Sequence, residues 1–323
     1  MAYTYFLDST KPSPPTVRRF IVYYLKQKKD WKESAEEDAL FTHRYSTGKM
    51  RFGFTHLDYS LIGNKEKNNE IFGKAYYYPE THLFNVNRDL EWEKKARKII
   101  LDSKEDVIWF LKPKFGGQGK GIVLLNKNSN LDNLNKKTPQ QTYILQKGVA
   151  NIHLHQNAKY DLRVHVIFVK NHDKIIPLFY QYADVRIAPK SYDNTRLELR
   201  AMLTYQQDGS HILMSAKDIP EYQKYFPNLK KVITDSSKQV CIELKKQIKK
   251  WENTVEFWIT GFDIIMDNKG QFFVLEFNES PNLFQKRSIY SQHRQMIKSL
   301  VDQVIDPLAK NKKISKGDLI ILE

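Results

Sequence analysis

Residues 159–168 alternate strictly between apolar and polar positions, a pattern that is typical of a β-strand. The apolar positions run from Tyr160 to Phe168 in steps of two. The intervening positions are polar and consist of Lys159, Asp161, Arg163 and His165. Because strand side chains point alternately to two faces, we expect one core face and one charged face. The charged face is either solvated, occupied by a structural ion pair, or the wall of a cleft.

A second strand pattern covers residues 261–266 and 272–278, joined by the turn-like sequence Asp-Asn-Lys-Gly. Pairing Met266 with Gln271 would place Asp263 opposite Val274. Glu276 would then lie diagonal to Asp263, roughly 7–8 Å away. In that register Asp263, Glu276 and Asn278 share one face, and their oxygen atoms suit Mg²⁺ held against a phosphate. The alternative is a solvated face of an edge hairpin.

The remaining pattern predicts a mixture of helices and strands. Helical spacing of apolar residues predicts helices over 17–25, 236–258 and 291–308. Short apolar runs predict strands over 107–111, 121–125 and 142–146. A polar, glycine-punctuated stretch over 61–75 marks a boundary after a small first unit. The class is therefore α+β, with antiparallel hairpins that carry the polar residues.

The segment from Lys112 to Gly121 joins two of these strands and carries four glycines in six positions. Glycines let the backbone approach a polyphosphate and present N–H groups, and Lys112 and Lys120 add positive charge. The segment is not a Walker A loop, because Lys120 is followed by glycine and then by a strand. The glycine spacing also excludes a dinucleotide fingerprint. A strand–loop–strand that covers phosphates fits the pattern; an ordinary hairpin loop is the alternative.

The amino-acid composition narrows the chemical class of the binding partner and the location of the protein. The chain of 323 residues carries 52 Lys and Arg against 37 Asp and Glu, a net charge of +15 that favours a polyanionic partner. The single cysteine, Cys241, excludes an intrachain disulfide, so we expect a reducing, cytoplasmic location. We find no apolar run of membrane-spanning length and expect no membrane partner. His153 and His155 lack an evident third metal ligand nearby in the sequence.

The order of these motifs resembles the tubulin–tyrosine ligase and ligase-like family. The motifs are Lys112-Pro with Gly-Gln-Gly-Lys-Gly-Ile, then Gln146-Lys, Lys159-Tyr-Asp-Leu-Arg, Gly261-Phe-Asp and the stretch from Leu275 to Leu283, and the likeness spans 76–300. It implies an ATP-grasp fold of antiparallel sheets flanked by helices, with the nucleotide held between the central and C-terminal domains. The implied domains are 1–75, 76–147 and 148–323.

The resemblance also implies roles for individual residues. The ATP-binding residues would be Lys112, Gly117, Gln118, Gly119, Lys120, Gly121, Ile122, Gln146, Lys147, Val149, Lys159 and Asp161. The magnesium ligands would be Asp263, Glu276 and Asn278, and the catalytic residues Arg163, Arg186 and Glu276. Two positions depart from the family pattern: Tyr205 replaces an asparagine, and Gly148 replaces a bulkier residue.

The expected function is an ATP- and Mg²⁺-dependent ligase that joins a free amino acid to a polypeptide carboxylate through an acyl phosphate. The acceptor would be an acidic polypeptide such as a tubulin C-terminal tail, and the location cytoplasmic or cytoskeleton-associated. One alternative is a non-catalytic basic module that binds nucleic acid or acidic protein tails on the same fold. Another is an ATP-grasp ligase for a non-tubulin protein or a small-molecule acceptor.

Overall fold

The structure is a computed structural model. It describes residues 2–6, 16–35, 39–43, 49–52, 57, 63–85, 89, 91–115, 119–130, 142–205, 209–248, 254–283 and 286–322. Within these ranges the chain forms both helices and strands, which confirms the α+β class. None of the helices in these ranges has the length and apolarity needed to cross a membrane.

The strands form two sheets. They are β1 Tyr3–Tyr5, β2 Trp31–Glu33, β3 Phe41–His43, β4 Met50–Phe52, β5 Thr81–Asn85, β6 Trp109–Pro113, β7 Val123–Leu125, β8 Thr142–Lys147, β9 Leu154–His155, β10 Ala158–Asn171, β11 Lys174–Tyr180, β12 Asp184–Ser191, β13 Ile212–Ser215, β14 Val255–Met266, β15 Phe272–Asn278 and β16 Leu319–Ile321. Strands β5-β8-β6-β7 form an antiparallel small sheet, and the others form a large sheet with the path β13-β12-β10-β14-β4-β3-β1-β2.

The helices pack on these sheets. They are α1 Thr16–Lys26, α2 Lys65–Phe72, α3 Trp92–Asp102, α4 Leu199–Met202, α5 Pro220–Lys224, α6 Phe226–Gln247, α7 Arg287–Leu300 and α8 Asp306–Ala309, with a 3₁₀ turn at Ala216–Asp218. A π-helical turn, Val301–Ile305, connects α7 to α8. Helix α2 lies inside the polar stretch 61–75, where Asn64 caps it by accepting a hydrogen bond from the Lys67 amide at 3.0 Å.

The two faces of β10 position the polar residues. Its predicted apolar face, from Tyr160 to Phe168, is buried in a core shared with α6. Its other face changes character along the strand: Ile167 and Val169 pack in a second core with α1 and α7, whereas the positions before them are polar. The alternation predicted from the sequence is confirmed. Between residues 159 and 169, β10 thus has one apolar face and one face that is polar in its first half and part of a core in its second.

The hairpin of β14 and β15 is present, but its predicted register is wrong. Met266 pairs with Phe272 rather than Gln271, and Asp263 pairs directly with Glu276 rather than Val274. The loop 267–271 is longer than expected because the Asp267 carboxylate accepts the amides of Lys269 and Gln271, at 2.9 and 2.8 Å. A β-bulge then leaves Leu275 as an extra residue between two pairs. The two shifts offset each other, so Asp263 and Glu276 still share a face.

The predicted helix over 236–258 is only partly correct. Helix α6 begins ten positions earlier, at Phe226, and ends at Gln247, and its last turn is followed by Ile248 in an extended conformation. Residues 255–258 begin β14 instead, and 249–253 lie outside the described residues. The run from Val255 to Thr260 is rich in β-branched and aromatic residues, which favours a strand. Its apolar positions happen to continue the helical spacing of the preceding segment, and for this reason the sequence pattern predicted a helix here. The other two predicted helices are confirmed as α1 and α7 with its continuation.

The small sheet has its own core and a contact with the rest of the chain. Its core consists mainly of apolar residues from β5, α3, β6 and β8, among them Trp92 and Trp109. A separate cluster joins it to α4 and consists of Ile108, Phe110, Leu124 and Met202. A polar cleft lies between the small sheet and the polar half of the large sheet.

Candidate functional site

The cleft between the two sheets has a volume of about 290 Å³. It collects most of the residues that the sequence predicted for a site. The predicted residues that line it are Lys112, Gly119, Ile122, Gln146, Lys147, Val149, Lys159, Asp161, Arg163, Arg186, Asp263, Glu276 and Asn278. Strands from both sheets contribute, so the fold brings together side chains that are up to 166 positions apart in the sequence (112 to 278).

Two lysines on opposite sheets meet near the Phe110 ring. The Nζ atoms of Lys112 and Lys159 lie 5.7 and 4.7 Å from its centroid, in cation–π contact. Lys112 donates to Gln146 Oε1 at 2.6 Å. Burial lowers the pKa of both lysines to about 8, because no carboxylate pairs closely enough to offset their desolvation. These two cations are therefore available to an incoming anion.

The lowered pKa values predict how the binding of a phosphate-bearing ligand, such as the nucleotide that the motifs imply, should depend on pH. Both lysines are charged at pH 7, and bound phosphates favour the protonated form. As pH rises through 8, binding must be accompanied by proton uptake, so we expect affinity to fall by up to about tenfold per pH unit for each lysine. Calorimetric titration with ATP between pH 7 and 9.5, in buffers of different ionisation enthalpy, measures both effects. In Lys112→Arg, whose charge persists, the slope should become shallower. A pH-independent affinity would contradict the prediction.

Two arginines hold the carboxylates of the large sheet. Arg163 binds Asp263 with two hydrogen bonds of 2.9 Å. Arg186 contacts Asp161 at 2.6 Å and Asp263 at 3.0 Å, and Thr204 donates to Asp161. Although burial alone would raise the pKa of Asp263, the two guanidinium groups hold it well below its usual range. The Asp263 carboxylate is therefore ionised inside the cleft, and its pairing with two guanidinium groups makes the buried charge tolerable.

The three predicted magnesium ligands occupy adjacent positions at one end of the cleft. Asp263 and Glu276 are directly opposite in the hairpin ladder, and Asn278 follows on the face of Glu276. Lys65 contacts Glu276 Oε1 at 3.2 Å. The buried Asn278 Nδ2 has no hydrogen-bond partner among the described residues, so no contact of that atom fixes which way the amide faces. Two carboxylates and an amide oxygen are donors that a hard cation accepts, so the residues present suit Mg²⁺.

The segment after β8 follows the small sheet into the cleft. Gln146 connects the two sheets, because its Nε2 lies 3.4 Å from the Leu275 carbonyl oxygen. Lys147 pairs with Glu105 at 2.9 Å, and its neighbour Gly148 donates to the Ile108 carbonyl at 2.8 Å. A Cβ at Gly148 would lie 2.4 Å from that carbonyl oxygen. The close backbone approach explains why glycine stands where the family has a bulkier residue.

The glycine-rich loop reaches the cleft only in part. Gly119, at a φ of +73°, and Ile122 line it. Lys120 and Gly121 are exposed and do not line it. Gly117 and Gln118 lie outside the described residues. Leu203 packs so closely against Gly119 that an added Cβ would sit 2.7 Å from Leu203 Cδ1, which keeps the loop beside residues 203–205.

Tyr205, which replaces the family asparagine, also lines the cleft. Its ring lies 4.4 Å from that of His211, with the planes tilted by 31°. The Tyr205 ring, packed against His211, thus occupies the wall where an amide was expected. This substitution changes the shape of the wall and leaves the lysines, arginines and carboxylates in place.

Sequence reasoning missed several polar residues around the site. Thr204 contacts Asp161, and Lys65 contacts Glu276. These contacts join residues far apart in the sequence, so only the structure shows them. His165 had been placed on the charged face of β10, but its partners were not foreseen. It forms a buried group with Asp184 and His293. His153, in contrast, contacts the Tyr160 hydroxyl at 3.0 Å through Nδ1, which gives it a structural partner.

Comparison with known proteins agrees with this geometry. The YheC/D-like ATP-grasp family matches residues 74–306. Tubulin glycylase 3F of Tetrahymena thermophila is 24% identical over 242 residues, which is 66% of this chain and 26% of that protein. The probable tubulin polyglutamylase ttll-9 of Caenorhabditis elegans is 26% identical over 319 residues, 88% of this chain and 73% of that protein. The human inactive polyglycylase TTLL10 is 24% identical over 71% of this chain and 38% of that protein.

The match and the fold agree with the resemblance found in the motifs. The family match covers well over half of the chain and includes every predicted site residue. The chain spans about a quarter of tubulin glycylase 3F and about three quarters of the C. elegans relative. The chain therefore belongs to the YheC/D-like ATP-grasp family and is a tubulin–tyrosine ligase-like ATP-grasp protein.

Proposed function

We propose that this protein is an ATP-dependent ligase that joins a free amino acid to a carboxylate of a polypeptide. One observation carries the proposal. A single cleft combines the half-buried Lys112 and the buried Lys159, neither of which forms an ion pair with a described carboxylate, two arginines on a carboxylate pair, and a set of oxygen ligands for a hard cation. Phosphoryl transfer to a carboxylate needs these three groups together, because both reactants are anionic.

The lysines would bind the nucleotide. Lys112 and Lys159 lie beside the Phe110 ring at the small-sheet side of the cleft, and the apolar residues Ile108, Val149 and Met202 line the same cleft. The lysines give charge for phosphates, and the apolar wall suits a purine ring. The glycine loop, with its Gly119 in the left-handed region, would bring backbone amides to the phosphates.

The large sheet would hold the metal and the reacting carboxylate. Asp263, Glu276 and Asn278 would bind Mg²⁺, which when bound neutralises charge on the phosphoryl oxygens. Arg163 and Arg186 are held rigidly by Asp161 and Asp263, and their remaining N–H groups would orient the acceptor carboxylate or the carboxylate of the incoming amino acid.

The reaction would proceed in two balanced steps. An acceptor carboxylate oxygen takes the γ-phosphoryl group of ATP, and ADP leaves. The amine nitrogen of the amino acid then attacks the acyl carbon, inorganic phosphate leaves, and the nitrogen loses a proton as the amide forms. The arginines would stabilise the negative charge that develops on the acyl oxygen in the second step.

We further propose an acidic polypeptide, such as a tubulin tail, as the acceptor. The relatives are named as tubulin glycylases and polyglutamylases, and the net charge of +15 would attract an acidic chain. A cytoplasmic or cytoskeleton-associated location follows from that acceptor. Glycine and glutamate are the first amino acids to test, because these are the ones the relatives' names indicate.

The test measures the mass added to an acceptor. Purified protein is incubated with ATP, Mg²⁺ and either glycine, glutamate or tyrosine, on tubulin and on a synthetic acidic tail peptide. We expect an increase equal to one or more residues of one amino acid, with stoichiometric release of ADP and phosphate. ADP release without added mass would indicate another acceptor. Nucleotide binding with no turnover on any acceptor would overturn the proposal.

A further inference from the structure

Three metal-binding side chains meet in the core behind the cleft. His165 on β10, Asp184 on β12 and His293 on α7 are all buried, with exposures of 0%, 3% and 0%. The Nε2 atom of His165 lies 3.0 Å from Asp184 Oδ2, and that of His293 lies 3.0 and 2.9 Å from the two carboxylate oxygens. The donor atoms all lie within 4.8 Å of one another. None of the three residues lines the cleft.

The donor set differs from that of the cleft. Two imidazoles and one carboxylate are typical of Zn²⁺ and related transition metals, whereas the cleft offers oxygen atoms alone. Around a tetrahedral Zn²⁺ at roughly 2.0–2.1 Å, neighbouring nitrogen and oxygen ligands are roughly 3.3 Å apart. The separations of 2.9–3.0 Å between Asp184 and each histidine therefore need to widen by only a few tenths of an ångström, and the two histidine donors lie within 4.8 Å of each other. Both histidines already direct the same nitrogen, Nε2, towards the carboxylate.

A neighbouring amide orients the carboxylate of this group. Gln292 donates to Asp184 Oδ1 at 2.8 Å and fixes the carboxylate orientation. Hydrogen bonds of this kind to a ligand side chain hold it in position for a metal.

We propose that His165, Asp184 and His293 bind one divalent transition-metal ion of the Zn²⁺ class. The ion would join α7 to β10 and β12. Arg163 lies two positions before His165 on β10, and Arg186 lies two positions after Asp184 on β12. Each arginine therefore shares a strand face with the neighbouring proposed metal ligand. The ion would therefore fix the two strands that present the arginines to the cleft, as a structural site distinct from the magnesium site.

Metal analysis of the full chain, purified without an affinity tag, tests the proposal. We expect about one zinc per chain after dialysis, a fall in Tm of about 5–15 °C after stripping by a strong chelator, and recovery with Zn²⁺ but not Mg²⁺. Reconstitution of the stripped protein with Co²⁺ should give visible d–d absorption that Zn²⁺ displaces. This readout needs no variant and therefore does not depend on whether a variant folds.

Matched variants separate this site from the rest. His293→Gln should lose the ion, whereas His82→Gln, at a half-exposed histidine of β5, should keep it. Glu276→Gln should also keep the ion, because that change affects the cleft alone. The metal content therefore tests this site independently of whether the proposed ligase function is correct. A wild-type protein with substoichiometric metal, no Co²⁺ spectrum and a Tm that neither chelator nor Zn²⁺ shifts would overturn the proposal.

Discussion

Replacing Glu276 by glutamine is expected to lower the ligation rate by about a hundredfold to a thousandfold while leaving the fold intact. Glutamine keeps the shape of the side chain but removes a charge from the pair of carboxylates that we propose as metal ligands. Its amide nitrogen cannot act as a ligand. We expect Mg²⁺ to increase the ATP affinity of the wild-type protein and the variant to lose this gain, which titration with and without the metal measures.

The matched control is Glu70→Gln, at an exposed glutamate of α2 that pairs with Lys67. It makes the same chemical change outside the cleft, and we expect its activity to stay within about twofold of wild type. Unfolding curves of both variants should show changes of about 1 kcal/mol or less, because the contacts that they remove are partly solvated. Full activity in Glu276→Gln would refute its assignment as a metal ligand.

Replacing Arg186 by leucine is expected to destabilise the protein by about 3–5 kcal/mol. Leucine fills much of the space but leaves the buried carboxylates of Asp161 and Asp263 without a shared guanidinium. Although burial alone would lower the pKa of Arg186, these two carboxylates raise it above its usual value, so the charge is stabilised where it stands. Urea denaturation followed by fluorescence gives the free energy of unfolding.

The pH dependence of this loss has a defined sign. The low folded-state pKa of Asp263 stabilises the wild type above the unfolded-state pKa of about 4, and this contribution is lost as pH falls further. Without Arg186 the Asp263 carboxylate should titrate at higher pH, so the difference in the free energy of unfolding between variant and wild type should narrow as pH falls from 7 to 5. Arg196→Leu, which removes an exposed pair with Asp193, should cost about 0.5 kcal/mol or less. An equally small cost for Arg186→Leu would contradict the buried network.

Local alternation predicted much of the site. The parity of β10 placed Lys159, Asp161 and Arg163 on one face, and the structure puts that face in the cleft. Parity is a property of the strand itself and does not depend on the partner strand. The order of the motifs then indicated the fold before any contact was known, through its resemblance to a known family.

Strand register and contacts between residues far apart in the sequence could not be predicted in this way. The register of β14 and β15 depends on a side chain that lengthens the loop and on a bulge, and neither has a periodic signature. Helical spacing in 236–258 continued by coincidence into β14. The His165, Asp184 and His293 group joins residues that are 19 and 109 positions apart, so no local pattern could reveal it.

The bulge at Leu275 has a consequence for how sequences related to this one are aligned. The extra residue restores the face of Glu276 and Asn278 after the loop has shifted the pairing. A relative of the same length that paired here without a bulge would place its equivalent of Leu275 opposite Asp263 and turn both side chains to the other face. A relative that lacks residue 275, in contrast, would keep its equivalent of Glu276 opposite Asp263, so a gap at that position of an alignment leaves the proposed metal ligands on one face.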